Sequence, residues 1–376
     1  MALVLNEEQN MLRDAAKDFC GKSVAITELR KLRDDKDETG FDREIWRQMV
    51  ELGWGGITIP EEYGGLGFGY TGLGVVMEEC GRTLAASPLM STAVLGSSCI
   101  LLGGSDEQKS ELLPLIAAGE LITALALEES PHHAPLGIST TAEKSGDGYV
   151  LNGSKKFVLD GHVADKLIVV ARTSGTSGDR EGISLFMVDS GADGLDITRT
   201  IMADSRNAAN LELVNVPATL MGDEGQSADA LDRVLDIGRI AISAEMLGGA
   251  QEAFERTIEY LKVREQFGVA IGSFQALKHR AADMFCEIEL SKSVVLGALS
   301  ALDEDSEDVA KLASLAKSRL TDTYNLVSSE AIQMHGGIGM TDEHEIGFFI
   351  KRARLCEHTL GNAAYHRNRY GELEGY

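Results

Sequence analysis

The feature that most constrains the fold of this 376-residue chain is a change of sequence texture, from helical to β and back to helical. Between about residues 121 and 223, short β-branched or alternating runs occur at residues 149–151 (YVL), 156–159 (KFVL), 167–171 (LIVVA) and 183–188 (ISLFMV). Turn signals separate these runs, at residues 146–148 (GDG), 152–153 (NG), 160–161 (DG) and 175–178 (GTSG). Short runs bounded by turn residues predict strands. The segment is therefore expected to form a compact β-barrel or sandwich.

The regions on both sides repeat apolar residues at helical spacing. Near the N-terminus, Asn6 is a predicted helix cap, and Gly53 is suited to end a later helix in left-handed conformation. Pro60 and the glycines of residues 59–67 (IPEEYGGLG) break the helical pattern. Beyond about residue 226, the periodic stretches are long enough for a four-helix bundle.

These patterns predict an α+β chain with three domains. An N-terminal all-α domain is expected over residues 1–120, a middle β domain over residues 121–225 and a C-terminal helical bundle over residues 226–376. Several subdomains are expected in a chain of this length, because a single hydrophobic core seldom extends over so many residues.

Composition excludes several classes of function. The formal net charge of -24 argues against a broad nucleic-acid-binding surface, because phosphate backbones require a basic face. The five cysteines are scattered and form no CxxC pair, which favours a reducing compartment and excludes the usual zinc spacings. No apolar run reaches the roughly 18 residues of a membrane span, and no signal-peptide core is evident. We therefore expect a cytoplasmic protein without a membrane span.

Four motifs follow one another in an order typical of one enzyme family. They are residues 59–67 (IPEEYGGLG), 103–120 (GGSDEQKSELLPLIAAGE), 264–275 (REQFGVAIGSFQ) and 333–340 (QMHGGIGM). Each motif alone is weak, but together they resemble the acyl-CoA dehydrogenase family over essentially the whole chain. The resemblance implies that family's fold, with an N-terminal helical domain, a middle β-barrel or sandwich and a C-terminal four-helix bundle.

The resemblance also implies a reaction. Acyl-CoA dehydrogenases insert a double bond between the α and β carbons of an acyl thioester. A carboxylate removes the α proton, and FAD accepts the β hydride. The flavin supplies the redox chemistry while the protein supplies orientation and electrostatics. We therefore expect an FAD-dependent oxidoreductase acting on acyl-CoA, with an electron-transferring flavoprotein as acceptor.

Six residues match family positions that hold the adenosine and pyrophosphate part of FAD, characteristically the flavin of a neighbouring subunit. An arginine offers fixed donors to phosphate oxygens, and paired glycines allow close approach of the backbone. The matching residues are Arg264, Phe267, Gln275, Gln333, Gly336 and Gly337. The simpler alternative is a helix-end arginine with ordinary packing glycines.

The positions expected to carry the catalytic base do not match the family. Its glutamate lies at one of two places, and the corresponding residues here are Leu360 and Gly238, neither of which can take a proton. Glu357 and Asp236 lie close in sequence, but their offsets point the side chains elsewhere on a helix. The catalytic residue is therefore unassigned.

Segments expected beside the flavin ring also depart from the family. The usual Thr-Glu-Pro-Gly-x-Gly-Ser-type loop is replaced by residues 128–135 (EESPHHAP), which lack the glycines and form a loop one residue shorter. Residues 157–159 (FVL) replace a Trp-x-Thr, and residues 362–364 (NAA) replace a polar tripeptide. His132 and His133 have no third ligand nearby, so we expect a surface loop there and no metal site.

The residues that match the family would bind the flavin of a neighbouring subunit. The residues that depart from the family are those that would form the catalytic base and the flavin-ring pocket of this chain's own site. We expect one subunit of a heteromeric acyl-CoA dehydrogenase, of α2β2 type, whose paralogous partner supplies the catalytic glutamate and the flavin-ring pocket. Residues 361–366 (GNAAYH) resemble bacterial small subunits of such enzymes, which act on steroid side chains or dicarboxylic acyl-CoAs.

Three alternatives stay open. The first is a self-sufficient homotetrameric dehydrogenase with a relocated base, in which backbone amides at Leu127 and Leu159 hold the flavin ring. The second is a flavin-dependent monooxygenase on the same fold, which needs no α-proton base. The third is a non-catalytic scaffold that binds acyl-CoA or a partner.

Overall fold

A computed structural model describes residues 4–376, and the chain divides into two compact units. The helical unit comprises Met1–Lys31, Tyr70–Ala85 and Arg239–Tyr376, and the sheet unit comprises Leu32–Gly69 and Ala86–Gly238. This division does not follow the domain boundaries predicted at residues 120 and 225, which stay a prediction.

The helices lie in two regions on either side of the strands. Before the first strand they are α1 (Glu7–Ser23), α2 (Ile26–Asp34), α3 (Arg43–Glu51), α4 (Tyr70–Thr83), a π-helix (Leu89–Gly96), α5 (Ser97–Gly103) and α6 (Asp106–Ala117). After the main sheet they are α7 (Ala228–Val263), α8 (Gln275–Asp303), α9 (Val309–His335), α10 (Ile346–His358) and α11 (Ala363–Leu373). No helix within residues 4–376 is both long and apolar enough to cross a bilayer.

The main sheet contains seven strands in the sheet unit. They are β1 (Thr123–Ala126), β2 (Thr141–Ser145), β3 (Gly148–Leu159), β4 (Lys166–Arg172), β5 (Ile183–Asp189), β6 (Leu195–Ile201) and β7 (Asn207–Met221). Pairing runs β1-β4-β2-β3-β7-β5, and β5 also pairs with β4, so five strands form a closed ring. β6 pairs with β7 outside this ring. The pairing corresponds to the barrel form of the predicted β domain, and the order helical, β, helical is confirmed.

Two local predictions near the N-terminus are confirmed. The Asn6 side chain accepts a hydrogen bond from the Gln9 amide at 2.8 Å, while the Asn6 amide donates to the Gln9 side chain at 2.9 Å. This reciprocal pair is a capping box at the start of α1. Gly53 follows α3 with a φ of 83°, the left-handed conformation that glycine adopts without strain.

The turn predicted at residues 152–153 is wrong. Both residues lie within β3, and the pairing of β3 with β7 shifts register between Leu151 and Gly153. A Cβ atom on Gly153 would lie 2.5 Å from Thr140 Oγ1. The glycine therefore serves a bulge with close backbone approach rather than a hairpin turn.

In the helical unit, α4 and α7 cross closely at two glycines. A Cβ on Gly81 would lie 2.0 Å from the carbonyl oxygen of Glu245, and one on Gly248 would lie 1.8 Å from that of Glu78. In the same unit, α9 packs against α8, α10 and α11. These contacts position the loop between α10 and α11, which carries one of the two base positions.

We expect Gly248→Ala to lower the free energy of unfolding by about 1–3 kcal/mol, the usual range for overpacking. The added methyl group collides with a backbone oxygen, which cannot rotate away as a side chain does. Urea unfolding followed by circular dichroism measures the change.

The matched control is Gly297→Ala on α8, where a Cβ atom meets nothing within 4 Å. Alanine favours a helix over glycine by up to about 1 kcal/mol, so this variant should be neutral or more stable. Equal effects of the two substitutions would contradict the close crossing of α4 and α7.

Candidate functional site

Leu360, the first of the two positions expected to carry the catalytic base, lies in the loop that joins α10 to α11 in the helical unit. Leu360 has a φ of 58° and Gly361 a φ of 103°, and the Leu360 residue is only 9% exposed. A left-handed conformation costs a non-glycine residue about 1–2 kcal/mol, so surrounding contacts must hold it. Asn362 accepts a hydrogen bond from the Tyr365 amide at 2.9 Å and thereby caps α11.

Three buried side chains hold the carbonyl oxygens of this loop. Arg239 Nε and His366 Nε2 both donate to the carbonyl of Leu360, at 3.3 and 3.0 Å. Lys317 Nζ donates to the carbonyls of Gly361 and Glu357, at 2.8 and 3.1 Å. The backbone is thus firmly held, but the side chain that it presents is a leucine.

Lys317 on α9 is a residue that supports this loop and that the sequence does not reveal. It is fully buried, and burial lowers the pKa of its amine to about 7, with neighbouring Arg239 lowering it further against the raising effects of Cys356 and Glu357. In the sequence it is one lysine within a long helical stretch, and nothing in its spacing indicates that it binds a loop 40 residues later.

The carboxylates closest in sequence to the two expected base positions do not take over the role of the catalytic base. Burial raises the pKa of Glu357, but hydrogen bonds from Asn325 at 3.0 Å and Arg354 at 3.1 Å outweigh it, and the pKa lies below its ordinary value. An ionised carboxylate with two donors is a weak proton acceptor. Asp236 and Gly238 lie on α7 in the sheet unit, and both are buried.

In the sheet unit, the loop between β1 and β2 is anchored by an ion pair whose lysine is fully buried. Fully buried Lys155 on β3 donates to Glu129 Oε1 at 2.7 Å and to the Leu127 carbonyl at 3.1 Å. The Glu129 carboxylate also accepts from the amides of Ser139 and Thr140, at 2.7 and 3.0 Å. Burial lowers the pKa of Lys155 to about 8, although Glu129 opposes this change.

The remaining segments beside this loop differ in exposure. Phe157, next to a β-bulge, has a φ of 53° and donates its amide to Asn210 Oδ1 at 3.2 Å. His132 is exposed, whereas His133 contacts the Glu128 carboxylate. No cluster of three His, Cys, Asp or Glu side chains suited to a metal ion occurs in the described part of the chain.

The six predicted adenosine-site residues all lie in the helical unit, and all are exposed. Phe267 is 93% exposed at the tip of a small hairpin formed by β8 (Glu265–Gln266) and β9 (Val269–Ala270). Gly336 has a φ of 63°, and a Cβ atom on Gly336 or Gly337 would meet nothing within 4 Å. The backbone there is open to a ligand or a neighbouring chain.

Two stacked aromatic rings lie between the predicted adenosine-site residues that follow α7 and those at the end of α9. The Tyr260 ring on α7 stacks on the His335 ring with centroids 4.4 Å apart, and its hydroxyl donates to the His335 carbonyl at 3.3 Å. The Arg264 amide donates to the Tyr260 carbonyl at 2.9 Å, and His335 directly precedes Gly336. The structure thus brings Arg264 and Gly336 to the same end of the helical unit.

Comparisons with known proteins place this geometry in one family. The acyl-CoA dehydrogenase N-terminal, middle and C-terminal domain families match residues 6–120, 128–216 and 228–373. The chain belongs to the acyl-CoA dehydrogenase family. The family's oxidoreductase activity on CH–CH donors and its use of FAD confirm the predicted enzyme class and cofactor.

Similar proteins cover nearly the whole chain. A probable acyl-CoA dehydrogenase of Bacillus subtilis, YngJ, is 33% identical over 98% of both chains. The caffeyl-CoA reductase-Etf complex subunit CarC of Acetobacterium woodii is 32% identical over 94% of both chains. A solved structure of a variant of the Tcur3481-Tcur3483 steroid ACAD is 33% identical, covers 98% of both chains and has a TM-score of 0.89.

The residues present fit one end of FAD and not the other. Exposed Arg264, Gln275 and Gln333, with open backbone at the paired glycines, suit phosphate and nucleoside groups, although their role in this acyl-CoA dehydrogenase homologue stays a prediction. In the sheet unit, many polar groups of the loop expected beside the flavin ring already form hydrogen bonds within the loop. This loop also lacks the glycines that would let its backbone approach a flavin closely.

We expect the pH dependence of stability to depend on Lys317. Between about pH 7 and its ordinary pKa of 10.5, this amine is neutral in the folded chain, whereas in the unfolded chain it carries the additional proton and a positive charge. The free energy of unfolding should therefore rise with pH, by about 2 kcal/mol between pH 7 and 9 from this group alone.

Lys317→Met should remove that rise, measured by urea unfolding at both pH values. Exposed Lys262, which pairs with Glu259 on the surface, provides the control Lys262→Met, whose pH dependence should match wild type. An unchanged pH dependence in Lys317→Met would contradict a neutral amine in the folded chain.

Proposed function

We propose that this chain is one subunit of a heteromeric acyl-CoA dehydrogenase, of α2β2 type, whose paralogous partner supplies the catalytic glutamate and the flavin-ring pocket. This chain contributes the adenosine half of the partner's FAD site. The substrate is an acyl-CoA thioester, and an electron-transferring flavoprotein accepts the electrons.

The observation that carries this proposal is the loop at Leu360. Arg239, Lys317 and His366 hold its backbone with Leu360 in a left-handed conformation, so the side chain at this position is fixed in place, yet it is apolar. The second base position, Gly238, has no side chain. A chain with both positions unable to take a proton needs a base from elsewhere.

The roles of the adenosine-site residues follow from their chemistry. The Arg264 guanidinium would bind phosphate oxygens through fixed donors, and the open backbone at Gly336 and Gly337 would let the pyrophosphate approach closely. Gln275 and Gln333 offer amide donors and acceptors, and the exposed Phe267 ring offers an apolar face. When bound, FAD supplies hydride acceptance, which this chain's side chains cannot perform.

The related proteins agree with a shared assembly. The name of the steroid ACAD structure joins two designations, Tcur3481 and Tcur3483. The caffeyl-CoA reductase subunit is named as part of a complex with Etf. These properties belong to those proteins, and their likeness to this chain favours a heteromer and an electron-transferring flavoprotein over a self-contained enzyme.

The test is the flavin content and mass of the purified chain, alone and co-expressed with a paralogous acyl-CoA dehydrogenase subunit. We expect little flavin in the chain alone. The pair should form a heteromer with about one FAD for every two chains, because each flavin needs residues from both kinds of subunit.

The opposite result is a homotetramer of this chain alone with one tightly bound FAD per subunit and acyl-CoA dehydrogenase activity. That outcome would overturn the shared site and favour a relocated base, with Glu357 and Asp236 as the first residues to substitute. The paralogue purified alone is the control for flavin that binds without this chain.

A further inference from the structure

Five backbone amides of the loop between β1 and β2 donate to acceptors within the same loop. Within residues 130–140, the amides of His132, Ala134, Gly137, Ser139 and Thr140 all donate to acceptors in residues 128–134. Pro131 and Pro135 have no amide hydrogen. Loops that bind phosphates or flavins do so largely through free backbone amides. Most residues from 130 to 140 therefore have no free backbone amide for a ligand.

Two anchors fix the path of the loop. The Glu129 carboxylate near its start binds Lys155 and the amides of Ser139 and Thr140, and so joins the two ends of the loop. Arg172 holds the segment just before Ser139, because it donates to the carbonyls of Ile138 and Leu136 at 2.9 and 3.3 Å. These anchors fix the path of the chain without using Glu128.

Glu128 closes the middle of the loop. One of its carboxylate oxygens contacts His133 Nδ1, and the other accepts from the Ala134 amide at 3.3 Å. The His133 side chain is only 4% exposed, so the contact lies inside the loop and not on its surface. The Glu128 carboxylate therefore occupies the position at the Ala134 amide where an oxygen of an anionic ligand would otherwise bind.

We propose that Glu128 and His133 close this loop against a flavin, so that the carboxylate of Glu128 takes up donors and space that FAD would need in this chain's own site. The proposal rests on the proposed function and deepens it. The pair makes this chain's site a non-binding one and directs FAD to the site of the partner. Glu128 is in this sense a specificity-determining residue, and its negative charge also repels phosphate groups.

The test uses the full chain with the double substitution Glu128→Thr and His133→Gly, which removes the carboxylate and the ring while Glu129, Lys155 and Arg172 stay in place. FAD binding is measured by quenching of flavin fluorescence, and loop opening by amide hydrogen exchange over residues 130–138. We expect at least tenfold tighter FAD binding than in wild type, with faster exchange in the loop. Glu143→Thr, an exposed glutamate on β2, is the control and should behave as wild type.

Unchanged FAD affinity in the double variant, or unchanged exchange in the loop, would overturn the closure. If the double variant loses the thermal transition of the wild type, the single Glu128→Thr variant decides the test by the same two readouts. Failure of the proposed function is a separate result, because it appears as one FAD per subunit in the unsubstituted chain before any variant is made.

Discussion

The buried donors around residues 359–362 are the interaction on which this account depends. Arg239, Lys317 and His366 hold two successive carbonyls, so the chain reverses from α10 into α11 with Leu360 in a left-handed conformation. Burying an arginine and a lysine is costly unless their hydrogen bonds are made, and here carbonyl oxygens of the loop accept them. The loop backbone is therefore held in place although the residue at its expected base position cannot take a proton.

The residues predicted to bind adenosine and the loop predicted to lie beside a flavin ring differ in their local chemistry. The predicted adenosine-site residues of the helical unit are exposed, and the backbone at Gly336 and Gly337 is open. In the β1–β2 loop of the sheet unit, the amides of Ala134, Gly137, Ser139 and Thr140 are bonded to Glu128, to Glu129 or to a carbonyl of the loop. An open surface can serve a neighbour's cofactor, whereas a loop closed by its own carboxylates binds little. This contrast agrees with one subunit of a pair that shares each flavin.

Much of the fold could be predicted from sequence, because periodicity and caps act over a few residues. The Asn6 capping box, the left-handed Gly53 and the strands after residue 121 all depend on neighbours close in the chain. The turn prediction at Gly153 is wrong because the sequence alone does not distinguish a glycine at a bulge from one at a turn, and the deciding contact is with distant Thr140. The sequence likewise does not reveal the contacts of Lys317 or the Lys155–Glu129 pair, since each lysine binds groups 26 to 44 residues away. Leu360 and Gly238 were found only by comparison with a family pattern.

The measurement that tests the central claim most directly is the substitution Arg264→Ala in this chain only, within the co-purified pair. If this chain holds its partner's flavin, the pair should keep its mass but bind FAD about 10- to 100-fold more weakly, because a charge-assisted hydrogen bond to phosphate contributes about 1.5–3 kcal/mol. Lys262→Ala removes a nearby exposed cation and should leave FAD binding as in the unsubstituted pair. Full flavin content and unchanged affinity in the Arg264→Ala pair would contradict the account.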